Sequence, residues 1–505
     1  MKSIHIIFLS VLCTLYCGNT FGQEDFMVKS KYGHHIDAES IPEMDYPAPG
    51  WLRDAVIVEL PVRGFNCSDY KDPSKWKHRY GDGTFNSLTG KLDFLKAMGI
   101  NVLCLYSVYD CTGSTNLYAI RYDNVSPDVG TLDDVKNLIN EAHKRGMYVM
   151  SNTNHYGVVK QAPILEEHPD WFLPEDQIRF DQRVFDLSNP EARQYIIDIH
   201  AWWCTDIGLD GWRVDCAWAF AFPRSVWNEI LKKCNERGKK IVLAPEGVNL
   251  FGNIEGGGGR GFPEILDMQN NCPRTGATQN DPYRAKEISG HNVGQNNKEK
   301  IRAFNDPTNP GPREGCFKIK GSRFLYGHNS MFAPMVPIMM TGEVINATHL
   351  GIRGNPKMLH SWIDWTDTIT NKDVVDDFRK INQIRLANKD IFHFNLYETN
   401  LINVPCESTP ASSVKPYVRF IEGEKAGIVI GNNSSTEDVT FSLQVPLVEM
   451  AMNNIEEFYV TDCWTSTTRK MKRSALDNYS IRVPKDKSKG GGVRVIIVSK
   501  ESPEK

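Results

Sequence analysis

Apolar and polar positions along the chain fall into two textures. Short, nearly unbroken apolar runs recur at 55–62 (AVIVELPV), 101–108 (NVLCLYSV), 147–155 (MYVMSNTNH), 208–215 (GLDGWRVD), 241–247 (IVLAPEG) and 337–344 (PIMMTGEV). Runs of this length without period-two alternation read as strands buried on both faces. Between them, apolar residues recur at helical spacing. In 131–146, Val135, Leu138, Ile139 and Ala142 form one stripe, Thr131 is placed to cap, Asp134 favours the start and Gly146 the stop. Further helices are predicted over 88–100, from Pro190 with Ser188 or Asn189 as cap, over 223–238 and over 374–392. From about residue 397 the pattern shortens to YVRFIEG, GIVIGNNSS, TFSLQVP and GVRVIIVS, which are brief strands separated by turns.

Strand–helix alternation predicts a parallel sheet, and about eight such units over roughly 340 residues favour a closed barrel over an open sheet. The expected fold is α/β: a (β/α)8 barrel over 51–395, with a short insertion after its third strand, then an antiparallel β-sandwich over 396–505. Residues 1–22 read as a signal peptide: Lys2, a short apolar core, and a small residue before Gln23. Residues 23–50 form a polar leader. The expected location is therefore secreted or periplasmic. No other segment has about 18 consecutive apolar residues, so no membrane span is expected in the mature chain.

Composition changes little. The 505 residues are 41% hydrophobic and 24% charged, which is ordinary globular chemistry, and a net charge of −4 gives no reason to expect a nucleic-acid partner. Beyond the leader lie cysteines 67, 104, 111, 204, 216, 234, 272, 316, 406 and 463. An even number in an exported chain permits disulfides without giving their pairing, and the spacing matches no zinc motif. The Gly-rich stretch 256–261 lacks the Lys-Ser/Thr of a phosphate loop and reads as a surface loop.

Chemistry in such a barrel sits at the C-terminal ends of the strands. Those ends offer Asn154 and His155, Arg213 and Asp215, Glu246, and His291 with Asn292. Arg213 and Asp215 are two apart on a strand and share a face. A guanidinium beside a carboxylate keeps it ionised, as a glycosidic nucleophile requires. Burial of Glu246 near other negative charge would raise its pKa, which suits a general acid. Two carboxylates facing one cleft are the minimal apparatus for glycoside hydrolysis. Each residue also has a plainer reading: a structural ion pair for Arg213 and Asp215, a core histidine for His155. The combination at successive strand ends carries the case.

These stretches resemble the α-amylase family of glycoside hydrolases. Residues 81–108 look like its first helix and second strand, and 125–155 like its third unit ending in Asn-His. DGWRVD is similar to its second conserved region, and APEG, more loosely, to its third. The resemblance runs from about residue 51 to 395. It implies a retaining α-glycosidase acting on α-glucans or α-linked glucooligosaccharides. Asp215 would be the nucleophile, Glu246 the acid and then base, and Arg213 the residue orienting Asp215. His155 and His291 would bind sugar, as would Tyr118 if it is the family's stacking tyrosine rather than a core or surface tyrosine. Asn154 matches a calcium ligand of many relatives, without a convincing set of partner oxygens, so Ca2+ is raised only by resemblance.

The chain departs from the family pattern at several positions. SGHNVG (289–294) lies where the fourth region, normally ending His-Asp, belongs, so Asn292 replaces the third carboxylate. An amide can bond sugar hydroxyls but cannot stabilise positive charge by opposite charge. Asp367, in DWTDT, comes too late in element order to fill that role. Met150 stands where the first region opens with Asp, and Val344 follows Glu343 where a second acid is usual. Trp218 and Ala219 follow Asp215 where Lys-His is common. Two readings therefore stand: an exported glycosidase, or a catalytically weakened or inactive relative that binds carbohydrate. A transporter-associated scaffold is disfavoured.

Overall fold

The computed structural model describes residues 49–503 apart from 69–71, 76–80, 113–117, 178–180, 215–223, 246–322, 333–336, 341, 346–361, 394–399 and 413. Its first layer is a parallel sheet of six strands: β1 (Ile57–Leu60), β2 (Val102–Leu105), β3 (Tyr148–Thr153), β4 (Gly211–Val214), β5 (Val242–Pro245) and β6 (Ile338–Met340). They lie in the order β6-β1-β2-β3-β4-β5. The last of these strands pairs with the first, Ile57 against Ile338, as barrel closure requires. The two further strands expected of an eight-stranded barrel, in 246–322, lie outside the described residues.

The strands alternate between two buried environments. Val56, Val58, Leu60, Leu103, Leu105, Val149, Trp212, Val214 and Leu243 join the core shared with the surrounding helices. Ile57, Val102, Cys104, Met150 and Val242 are buried without joining it and fill the barrel interior. This is why the strands read as continuous apolar runs: both faces are covered.

Helices α1 (Phe85–Thr89), α2 (Leu92–Ala97), α3 (Leu132–Lys144), α4 (Pro190–Trp202), α5 (Arg224–Glu236), α6 (Arg323–Ser330) and α7 (Lys372–Ala387) follow the strands. Thr131 and Asp134 close a capping box at α3, and the predicted stripe of Val135, Leu138, Ile139 and Ala142 is buried. Asn189, not Ser188, caps α4, accepting from the Glu191 and Ala192 amides. The single helix expected over 88–100 is two: Thr84 starts α1 with its own capping box, and the chain turns at Gly90 before α2. At the N-terminal end of the barrel, Asp210 is buried, accepts from the Val149 amide at 2.8 Å and meets His143 Nε2 and Lys239 Nζ, each at 2.8 Å. It ties three consecutive units together.

The C-terminal region is antiparallel, as expected, and has more strands than the sequence revealed. A six-stranded sheet runs in the order 401–403, 417–421, 425–431, 493–499, 457–462, 467–472, and a three-stranded sheet comprises 406–409, 439–443 and 479–483. One face of the larger sheet, with Tyr417, Val429, Val493, Val495 and Ile497, belongs to the barrel's core. The other, with Val418, Phe420, Ile428, Ile430, Ile496 and Val498, packs inside the sandwich. Tyr417 donates to the His328 carbonyl at 2.6 Å. Arg323 of α6 is buried, pairs with Asp377 and Asp373, and donates to the Asp486 carbonyl.

Candidate active site

Three adjacent strands end level. Thr153 of β3 pairs with Val214 of β4, and Val214 pairs with Pro245 of β5. The next residues in the chain are Asn154, Asp215 and Glu246. Asp215 and Glu246 lie outside the described residues, as do His291 and Asn292.

Arg213 is on β4, half-buried, with Asn152 and Ala244 as its register partners. Trp212 points the other way and donates its indole N–H to the His200 carbonyl at 3.3 Å, so alternation sends Arg213 inward. Gly211 is required here. A Cβ on it would lie 2.4 Å from the Val242 carbonyl oxygen, so β4 approaches β5 more closely than a side chain permits.

The interior below the strand ends is polar, which the sequence reading missed. Glu59 of β1 is 5% exposed and accepts from Asn152 Nδ2 at 2.8 Å. Cys104 of β2 lies beside them, with Sγ 4.0 Å from Asn152 Oδ1. Burial pushes its thiol well above the usual range, with Glu59 raising it further and Arg213 pulling it down. A carboxylate, an amide and a guanidinium thus share the barrel interior. Met150, standing where the family pattern has an acid, is fully buried between Cys104 and Gly211 in register. The signal for Glu59 was a lone acid inside an apolar run, AVIVELPV.

His155 follows β3 and is buried. Its ring stands edge-on to Tyr156 (5.7 Å, 84°) and to Trp227 of α5 (5.5 Å, 66°), so aromatic packing sets its plane. Tyr122 holds the turn that carries it, with its hydroxyl 2.6 Å from the Asn154 carbonyl and 2.8 Å from the Gly157 carbonyl. Behind β3, His200 of α4 meets Thr153 Oγ1 at 2.9 Å and donates through Nδ1 to the Ile196 carbonyl; burial lowers its pKa to about 4.

Tyr118 is in a hairpin beyond β2, Asp110–Thr112 with Tyr118–Arg121, where it pairs with Thr112 and is half-buried against the core. The structure places it on an excursion from the C-terminal end of β2, the same end of the sheet from which Asn154 and His155 emerge. Asn154 Oδ1 is buried without a hydrogen-bond partner among the described residues. It is a single oxygen, and among the described residues no group of three or more His, Cys, Asp or Glu could hold a metal. The described residues here do not make a calcium ligand set. Asp367 is buried at the start of a short helix, Asp367–Thr370, beside Trp365, whose indole donates to the Phe65 carbonyl at 3.1 Å. Val344 is buried in the turn Glu343–Ile345 after β6.

Among the described residues, cysteines 67, 104, 111, 204, 234, 406 and 463 are free thiols. Cysteines 216, 272 and 316 lie outside them.

A six-stranded parallel sheet whose last described strand pairs with its first, with an antiparallel sandwich packed on it and a polar interior near its strand ends, is the architecture of a barrel protein with a C-terminal β-domain. Comparison with known proteins narrows it. The family model described as alpha amylase, catalytic domain, matches residues 64–178. The maltogenic alpha-amylase of Bacillus acidopullulyticus is 22% identical over 456 residues, 81% of this chain and 74% of that protein. Alpha-amylase MalA of Haloarcula japonica is 27% identical over 228 residues, which span 42% of this chain and only 32% of that protein. In structure, the alpha-amylase of Anoxybacillus superposes with a TM-score of 0.62 at 18% identity, covering 90% of this chain and 99% of that one, and establishes the barrel-plus-sandwich fold. The chain is thus similar to proteins of the α-amylase family, in sequence over residues 64–178 and in fold along most of its length.

Proposed function

We propose that this protein is a glycosidase that hydrolyses α-glucans or α-linked glucooligosaccharides, and that it works by retaining double displacement. The observation that supports it best is the level ending of β4 and β5, Val214 against Pro245, with Arg213 turned into the barrel. Asp215 and Glu246 are the next residues in the sequence after these two neighbouring parallel strands.

In this reading Asp215 attacks the anomeric carbon while Glu246 gives a proton to the departing glycosidic oxygen. Glu246 then takes a proton from water as that water displaces Asp215 from the sugar. Arg213 holds Asp215 ionised and aimed. His155 and His291 bind hydroxyls of the reacting sugar, and Tyr118 offers it a ring face. Asn292, where the family pattern has a third carboxylate, bonds hydroxyls but lends no negative charge, which lowers turnover by about 10²–10³-fold. Export to a secreted or periplasmic location is part of the proposal, supported by the composition of residues 1–22.

The second reading, a carbohydrate-binding relative with little or no catalysis, is favoured by Asn292 and Met150. One comparison separates them: wild type, Asp215→Asn and Asn292→Asp on maltooligosaccharides, isomaltose and an activated α-glucoside. The glycosidase reading expects weak wild-type turnover, loss in Asp215→Asn and gain in Asn292→Asp. Turnover indifferent to Asp215→Asn removes the assigned nucleophile. Sugar binding without wild-type turnover selects the second reading.

A further inference from the structure

Outside the strand ends, a recess of about 140 Å³ opens between the Tyr118–Arg121 strand, the segment 163–171 and α4. Its wall is apolar and aromatic: Ile120, Ile164, and a parallel stack of His168 on Trp171, with ring centroids 3.8 Å apart and planes 12° apart. Tyr195 of α4 tilts against Trp171 at 5.3 Å. Its rim is charged. Arg121 grips Asp123 through two bonds, 2.9 and 2.8 Å, and Glu167 lines the same opening. All three rim residues are exposed.

The charge inventory narrows the ligand. One guanidinium against two carboxylates does not suit an anion, and the bidentate pair already satisfies much of the cation. Among the described residues, no acid cluster here makes a metal site. What remains suited to a flat apolar wall under a rim of strong donors and acceptors is a neutral ring with one C–H face and hydroxyls around its edge. A pyranose is such a ring.

We propose that this recess is an auxiliary carbohydrate-binding site that holds one sugar unit of an α-glucan chain, distinct from the strand-end site. The identity of the sugar rests on the proposed function. The recess and His155 share one support. Tyr122, between Arg121 and Asp123, lines the recess and carries its hydroxyl to the carbonyls of Asn154 and Gly157 on either side of His155. The hairpin and the segment 163–171 are excursions from the C-terminal ends of β2 and β3, so a long chain can engage both sites while a short substrate engages only one.

The test uses the full chain with two variants on exposed or half-buried positions, Asp123→Ala/Glu167→Ala and the recess-filling Ile164→Trp, each checked for an unchanged melting curve. Maltoheptaose binding is measured by calorimetry, and turnover is measured on a short activated α-glucoside and on soluble starch. The expected result is at least a five-fold loss of maltoheptaose affinity and a comparable rise in KM on starch, with turnover of the short substrate unchanged. Undiminished maltoheptaose affinity in both folded variants overturns the proposal, as does a wild type that does not bind maltoheptaose at all. Absence of turnover on either substrate, with maltoheptaose binding that still depends on the recess, sinks the glycosidase reading and leaves this site standing.

Discussion

The Tyr122 hydroxyl sits 2.6 Å from the carbonyl oxygen of Asn154, and its one proton is shared with the Gly157 carbonyl at 2.8 Å. Both carbonyls are in the turn that carries His155 away from β3. Tyr122→Phe keeps the ring and removes the tether. The expected cost is about 1–3 kcal/mol of stability, because two buried carbonyls lose their donor. If the turn positions substrate, KM on oligosaccharides rises more than kcat falls. Chemical denaturation and steady-state kinetics on the same variant report both, and a Phe variant with wild-type values for each would show the tether to be idle.

Inside the barrel, Asn152 donates to Glu59 at 2.8 Å. Asn152→Leu deprives a buried carboxylate of that donor, and we expect a loss of about 3 kcal/mol. Adding Glu59→Met removes the charge as well, and the double variant should recover part of the loss. A double-mutant cycle from urea unfolding measures the coupling directly. Strictly additive single effects would mean that the two residues do not act as a pair.

Gly211→Ala forces a methyl group towards the Val242 carbonyl oxygen, 2.4 Å from where its Cβ would stand. Backbone must move, at a cost of about 1–3 kcal/mol. Because Arg213 is two residues on, activity should fall by more than stability alone explains at temperatures well below the melting point. Paired measurements of melting temperature and kcat/KM at 20 °C test this, and full activity in a destabilised variant would contradict it.

His200 is buried with a pKa lowered to about 4. The unfolded chain takes up this proton near pH 6.5 and the folded chain only near 4, so the unfolded state binds more protons in between. Stability therefore drops as pH falls from about 6.5 to 4, by about 3 kcal/mol from this residue alone. His200→Gln should be less stable at pH 7 yet show a flatter pH profile over that window. Urea midpoints taken between pH 4 and 7 decide it. A variant with the wild-type slope would assign the acid sensitivity elsewhere.

Much of the barrel was legible because parallel strands buried on both faces announce themselves as apolar runs. Their ends were less so. Residues such as Val56 and Val62 are buried against the helix layer without belonging to a strand, and the run overstated β1 at both ends. The two-stranded ribbons were invisible for the opposite reason. Asp110–Thr112 with Tyr118–Arg121, and Gly157–Val159 with Gln182–Val184, are three or four residues per strand, too short to show a period. The sandwich strand 467–472 (TTRKMK) is an exposed edge whose Lys and Arg residues suit it to face water and hide it from a hydrophobicity reading. In the site, Arg213 lies on β4 beside Trp212, which faces the helix layer, while Asp215, expected to share its face, lies outside the described residues. Glu59 could not be found from spacing. One acid in an apolar run looks like an interruption until its Asn152 partner, 93 positions away, is brought beside it.

The central strands of the larger sandwich sheet are covered on both faces: Val418 packs within the sandwich, while Tyr417, one residue earlier, completes the wall of the barrel. A module joined by a linker could be traded or trimmed, but this one cannot be lifted away without stripping the core of its neighbour. Barrel and sandwich should therefore melt as one cooperative unit. Damage to either end of the chain would be felt at the strand ends, and inheritance would have to carry the two together.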